Sequence, residues 1–238
     1  MTDDLDSQVR RADPDRWLSS RFIADADRRA DVIAIYAFNQ ELARTAAGVR
    51  EPMVAEIRLT WWREGLDELL AGKPPRGHPV MQALDMAIRR HNLAAAPLEA
   101  LAESGFEELD PGRFADEAAL ERYLDGASGA VMALAAAITG GVDAASLRPA
   151  AHAWGLVGLI RRKAAGVDRF PESWSAEEPA IRARQLLADA RAAIAALPVE
   201  AFPAVAHLTL IEGYLKGREA SELEKRARLT WAVARGRV

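Results

Sequence analysis

Residues 31–49, DVIAIYAFNQELARTAAGV, decide how the chain is read. Val32, Ile35, Tyr36, Asn39, Leu42, Ala43 and Ala46 recur at spacings of three and four, so a helix would put them on one face. Asp25 or Asp27 can cap its start, and Gly48 followed by Pro52 punctuates its end. The inward face mixes Tyr36 and Asn39 with small alanines, which suits a helix that lines something. The plainer reading is an ordinary core helix.

Working outward, the same period recurs along the chain. Residues 1–12 are polar and expected to fray. Asp15 to Phe22 reads as a helix burying Trp17, Leu18 and Phe22. Residues 53–71 read as an amphipathic helix with Ile57, Trp61, Leu66, Leu69 and Leu70 at core spacing. Gly72 to Gly77 is a loop by turn chemistry. Helices follow from Pro79 to His91 and from Pro97 to Leu109, broken at Pro111-Gly112. Residues 116–139 read as one or two helices around Tyr123 and Gly129, stopped at Gly140-Gly141. A long helix spans Ser146 to Ala165, Gly166 to Pro179 is a loop, and residues 180–197 and Phe202 to Lys216 are helices. A basic helix beginning at Ser221 ends the chain.

Composition agrees with an all-α chain. Half of the 238 residues are apolar, enough for a substantial core, and β-branched residues rarely alternate with polar ones. With no repeat and no linker, one domain is expected over residues 1–238, with residues 1–12 flexible. The absence of cysteine excludes disulfides and thiolate chemistry. A net charge of −4 argues against nucleic-acid binding. The longest apolar run, Ala130 to Ile138, is about half of the roughly 20 residues a membrane span needs. The acidic N-terminus lacks an apolar segment, so no signal or transit peptide is expected, and the location is expected to be cytoplasmic.

Tyr36-Ala37-Phe38 resembles the Y-A-F opening of the first active-site helix in the squalene/phytoene synthase family of head-to-head prenyltransferases. The resemblance implies an all-α isoprenoid-synthase fold. Working members follow that opening with D-D-x-x-D, and here those acids fall on Ala43, Arg44 and Ala47. The family's second motif, A-x-Q-L-T-N-I-L-R-D-x-x-x-D, resembles Ala153 to Gly166. Ala153, Leu156 and Arg161 match, but the asparagine is Gly158 and the aspartates are Arg162 and Gly166. Asp168 is two residues out of register and suits a turn. The family's two carboxylate clusters hold Mg²⁺, which neutralises the substrate diphosphate. Neither cluster is present, so no cofactor is expected.

Other features survive. Arg58-Leu59-x-Trp61-Trp62-Arg63-Glu64, with Gly72 and His78-Pro79-Val80, and Tyr123-x-x-Gly126-x-x-Gly129 resemble family patterns over roughly residues 15 to 235. Together with Tyr36 to Arg44 and Ala153 to Arg161, they resemble a degenerate branch related to the mitochondrial complex I assembly factor of that family. That resemblance implies synthase architecture without synthase chemistry, a link to membrane-arm subunits of respiratory complex I, and a place on the inner membrane surface. Candidate pocket-lining residues on this reading are Tyr36, Phe38, Asn39, Arg44, Arg58, Trp61, Trp62, Tyr123, Gly126, Gly129, Gly158, Arg161 and Arg162.

Two alternatives remain open. An active prenyltransferase would need displaced acids such as Glu41, Glu103, Glu107, Glu108 or Asp110, with Mg²⁺ as cofactor. Alternatively, Arg44, Arg161, Arg162 and Lys163 could hold an isoprenoid diphosphate or anionic lipid directly, unless they pair with Glu41 and neighbouring acids. The four histidines lack ligand spacing and read as structural. The C-terminal helix, with seven Lys/Arg between Lys216 and Arg237, suits either solvent or an anionic membrane surface.

Overall fold

The computed structural model describes residues 4–47, 51–110, 112–140 and 144–238. Gly48, Pro111 and Gly141, read above as breaks, lie outside the described residues. The first helix is α1 (Leu5–Ala12), capped by Asp4 and burying Val9. The expectation of fraying there is corrected from residue 4 onward: Asp6 accepts from the Trp17 indole at 2.9 Å and from Arg21 at 2.6 Å, tying α1 to α2 (Pro14–Ser20).

The stretch that opened the reading lies in α3 (Ala26–Ala47). Asp25 caps it, accepting from the backbone N–H groups of Asp27 and Arg28 at 2.9 Å each. Residues 31–38 are buried without interruption, so this middle part of α3 is enclosed on every side rather than amphipathic. Helices α1, α2, α4 (Pro52–Leu70), α5 (Pro79–His91), α6 (Ala95–Glu107) and α8 (Ala130–Gly140) surround it. Buried Asp31 is satisfied by Arg90 at 2.7 Å and His91 at 2.8 Å from α5.

Helix α4 buries Leu66 and Leu69 as its spacing suggested, but not Ile57 and Trp61. Ala55, Leu59, Trp62, Leu66 and Leu69 are buried, while Ile57 is 63% and Trp61 38% exposed. Both residue sets obey helical spacing, and the packing against α3 and α6 chose between them. Full burial of a large apolar side chain contributes about 1.5–3 kcal/mol, so the central layer of Phe38, Leu59, Leu66, Met81, Leu84 and Leu101 anchors this half of the bundle.

Helix α7 (Glu117–Leu124) continues through a π-helical turn, Asp125–Gly129, into α8. Helix α9 (Arg148–Ala164) follows a 3₁₀ turn, and α10 (Glu178–Ala195) packs back on it after the expected loop. The helix expected over Phe202 to Lys216 is corrected: 3₁₀ turns Phe202–Ala204 and Ala206–Leu210 precede a short α11 (Ile211–Leu215). Pro203 supplies no N–H, and six of the seven residues 202–208 are apolar and all are buried, so burial rather than one amphipathic face shapes the segment. The last helix, α12 (Glu222–Arg235), is capped by Ser221 and ended by Gly236 in the left-handed conformation. Among the described residues there is no strand, and no helix is long and apolar enough to cross a membrane.

Candidate functional site

A cavity of about 410 Å³ opens between α2, α3, α6, α7 and α9. Its wall includes Asn39 and Ala43 from α3, Tyr123 from α7, and Gly158, Arg161 and Arg162 from α9. One position of each missing acidic motif, Ala43 and Arg162, therefore faces the same space. Ala47 lies outside it, on a neighbouring groove of about 660 Å³ floored by Val9, Ala12, Ala37 and Ala43. Gly166 takes φ +96° at the end of α9 and does not line the cavity.

Arg162 decides the chemistry of the wall. Its guanidinium donates to both Glu108 oxygens, Nη1 to Oε1 at 2.9 Å and Nη2 to Oε2 at 2.7 Å. The Tyr123 hydroxyl donates to the same carboxylate, and Arg169 Nη1 approaches it at 3.6 Å. Burial works to raise the Glu108 pKa, but the bonds from Arg162 and Tyr123 prevail and hold it below its usual value. Glu108 in turn raises Arg162, and burial, then Glu108, raises Tyr123. All three therefore keep their ordinary neutral-pH ionisation states.

The acids on α2 are also engaged. Asp13 accepts from the Arg16 side chain at 3.3 Å. Asp15 pairs with Lys225 at 2.8 Å and accepts from the Tyr214 hydroxyl at 2.5 Å. Sequence reasoning missed these cavity residues; the Asp13-Pro14 helix start and the Asp13/Arg16 spacing were the available signals.

The remaining expected site residues scatter. Tyr36 and Phe38 are buried in the core and do not line the cavity, Phe38 packing edge-on against Trp62 with ring centroids 5.9 Å apart. Arg44, Arg58, Trp61 and Trp62 line a separate surface pocket of about 290 Å³ with Glu41 and His78. Gly126 lies against α6: a Cβ there would stand 2.8 Å from the Ala100 carbonyl oxygen. It permits close helix packing without facing the cavity, and Gly129 lines a different depression. Their small size was legible, but the side on which it is used was not.

The cations proposed as anion ligands already have partners. Arg44 pairs with Glu41, Arg161 with Glu219 at 3.3 Å, and Lys163 with Asp168 at 3.1 Å. Asp168 also caps its own loop by accepting from the Phe170 N–H at 3.2 Å. Arg58 is exposed and has no carboxylate partner among the described residues. Of the displaced acids, Glu41 binds Arg44, Glu103 binds Arg63 at 3.2 Å, and Asp110 accepts from Gly112 N–H at 2.8 Å. Among those five, only Glu108 lines the central cavity.

Magnesium needs several oxygen ligands in near-octahedral array. Ala43, Arg44, Ala47, Arg162 and Gly166 supply no carboxylate, and Glu108 is held by a cation. The residues present do not fit the family's metal site. Among the described residues, no three His, Asp or Glu side chains are grouped to hold an ion.

A family model for squalene/phytoene synthase matches residues 9–164, and the chain belongs to that family. Its fold is the all-α isoprenoid-synthase type. It superposes on a dehydrosqualene synthase crystallised with ligand at TM-score 0.83, with 14% identity over 97% of this chain and 94% of that one. Squalene synthase HpnC from Alicyclobacillus acidocaldarius gives 0.69, with 18% identity over 98% and 92%. In sequence the chain is similar to NADH dehydrogenase (ubiquinone) complex I, assembly factor 6. The Bos taurus protein is 27% identical over 87% of this chain and 71% of its own length. The Homo sapiens protein is 28% identical over 64% and 46%.

Proposed function

We propose that this chain is a catalytically degenerate squalene/phytoene synthase homologue that serves the biogenesis of respiratory complex I at the inner membrane surface. The observation that carries the first half is the Arg162–Glu108 pair. A guanidinium stands where the family places a metal-binding aspartate, and it closes on a carboxylate in the cavity wall. A diphosphate would meet no metal there, and its approach to Arg162 would have to displace Glu108. Similarity to complex I assembly factor 6 over most of the chain supports the second half.

The cavity remains open and mixed in polarity, with volume in the range of small-molecule sites. It suits an isoprenoid or lipid chain held without ionisation. Membrane-arm subunits, or the machinery that inserts them, are the partners this reading names.

Two measurements test it. The purified protein should release no diphosphate from farnesyl or geranylgeranyl diphosphate with Mg²⁺ or Mn²⁺. A strain lacking the gene should lose assembled complex I and recover it with the wild-type gene. Metal-dependent diphosphate release would restore the prenyltransferase reading, and normal complex I in the deletion strain would remove the assembly role.

A further inference from the structure

We propose that the outer face of α12 is a membrane-docking surface for an anionic phospholipid bilayer. This deepens the membrane side of the assembly reading and rests on it for the identity of the membrane.

Three observations converge on α12. Its inner face is fixed: Leu229 and Ala232 are buried, and Lys225 pairs with Asp15 at 2.8 Å. Its outer face is left with two large apolar side chains uncovered, Leu223 at 78% and Trp231 at 61% exposure. With exposed Ala227 between them and Ala234 beyond, they form one strip about 16 Å long at 1.5 Å per residue.

Cations border the strip. Helical geometry puts Arg226 along one margin and Arg228 and Arg235 along the other. Arg226 pairs with Glu222 at 2.5 Å and Arg228 with Glu224 at 2.9 Å. The Arg235 guanidinium lies 3.9 Å from the Trp231 ring centroid. Lys216, Arg235 and Arg237 have no carboxylate partner among the described residues. Leaving out the inward-turned Lys225, six cations against three glutamates between Lys216 and Arg237 leave a local excess of three, on a chain whose net charge is −4. A narrow apolar strip with an interfacial tryptophan and arginine margins matches a bilayer surface in charge and polarity.

The other exposed apolar row differs. Met53, Ile57 and Trp61 on α4 run beside Glu56 and into Glu64 and Glu68, both held by Arg76. Glu56, Glu64 and Glu68 outnumber Arg58 and Arg76 there, so the row lacks the cationic excess of α12. That row therefore serves as the control.

Sedimentation with vesicles tests the assignment, using phosphatidylcholine alone or with about a quarter phosphatidylglycerol. The wild type should partition preferentially onto the anionic vesicles. Trp231→Asp should weaken that partition about tenfold or more, Arg235→Glu about fivefold or more, and Trp231→Phe and Ile57→Asp should retain it. No wild-type binding, equal binding to neutral vesicles, unchanged binding by Trp231→Asp, or loss through Ile57→Asp would each overturn the proposal. Unchanged binding in Trp231→Asp would leave the strip to a protein partner. These exposed positions do not support the core, and circular dichroism of each variant verifies folding. Complex I levels in the deletion strain are read separately, so vesicle binding and the assembly role can fail independently.

Discussion

Arg162 and Glu108 form a two-pronged ion pair between α9 and the C-terminal end of α6, at 2.9 and 2.7 Å, with the Tyr123 hydroxyl on the same carboxylate. The pair stands on the wall where the family would bring metal and diphosphate together. It ties the two helices together.

Arg162→Ala should therefore cost stability without removing a catalytic step. The arginine side chain is 39% exposed, so screening limits the loss to about 1 kcal/mol. Arg162→Ala combined with Glu108→Gln should cost less than the sum of the two single changes. Thermal unfolding of the four proteins checks this; strict additivity would mean the pair is uncoupled.

The glycines separate crowded from open positions. Gly126→Ala drives a Cβ against the Ala100 carbonyl oxygen and Ser104, at 2.8 and 3.0 Å, and should destabilise by about 1–3 kcal/mol. Gly158→Ala meets nothing within 4 Å and should be neutral or stabilising by up to about 1 kcal/mol through backbone entropy. Denaturant midpoints for the two variants should move in opposite directions or differ sharply.

His207 gives a pH signature. It is buried edge-on against Trp154 with ring centroids 4.6 Å apart, and neither ring nitrogen has a hydrogen-bond partner among the described residues. Burial, aided by Arg16, lowers its pKa well below the usual value. The unfolded chain therefore takes up this proton first as pH falls. The stability contributed by neutral His207 is complete above about pH 6.5, declines below it, and is gone once pH passes the lower folded value. His207→Leu should flatten that part of the stability curve. An unchanged slope between the two proteins from neutral pH downward would contradict it.

The Asp15–Lys225–Tyr214 group holds α12 to α2. Burial, then the bond to Asp15, raises Tyr214 to about 12, so it remains a donor at neutral pH. Lys225→Met leaves Asp15 buried without its cation and should cost about 3–5 kcal/mol. Asp15→Asn added to Lys225→Met should recover part of that loss. Hydrogen exchange along α12 reads both effects; a loss confined to α2 would argue against the tie.

The sequence determined the helical class, most helix spans and the deletion of both acidic motifs, because those depend on local periodicity, capping and residue identity. Pro79–His91 was legible to the residue, since Pro79 starts it and Asn92 takes the left-handed cap. Tertiary structure decided which side of each helix faces what. Val32 to Phe38 carry too few polar residues to mark one face, and only the ring of helices around α3 explains their uniform burial. Ile57 and Leu59 are equally apolar, yet packing buries one and exposes the other. Arg162 could have been an anion ligand by composition alone. Its partner stands 54 positions earlier, and a contact that distant in the chain leaves no local pattern to read.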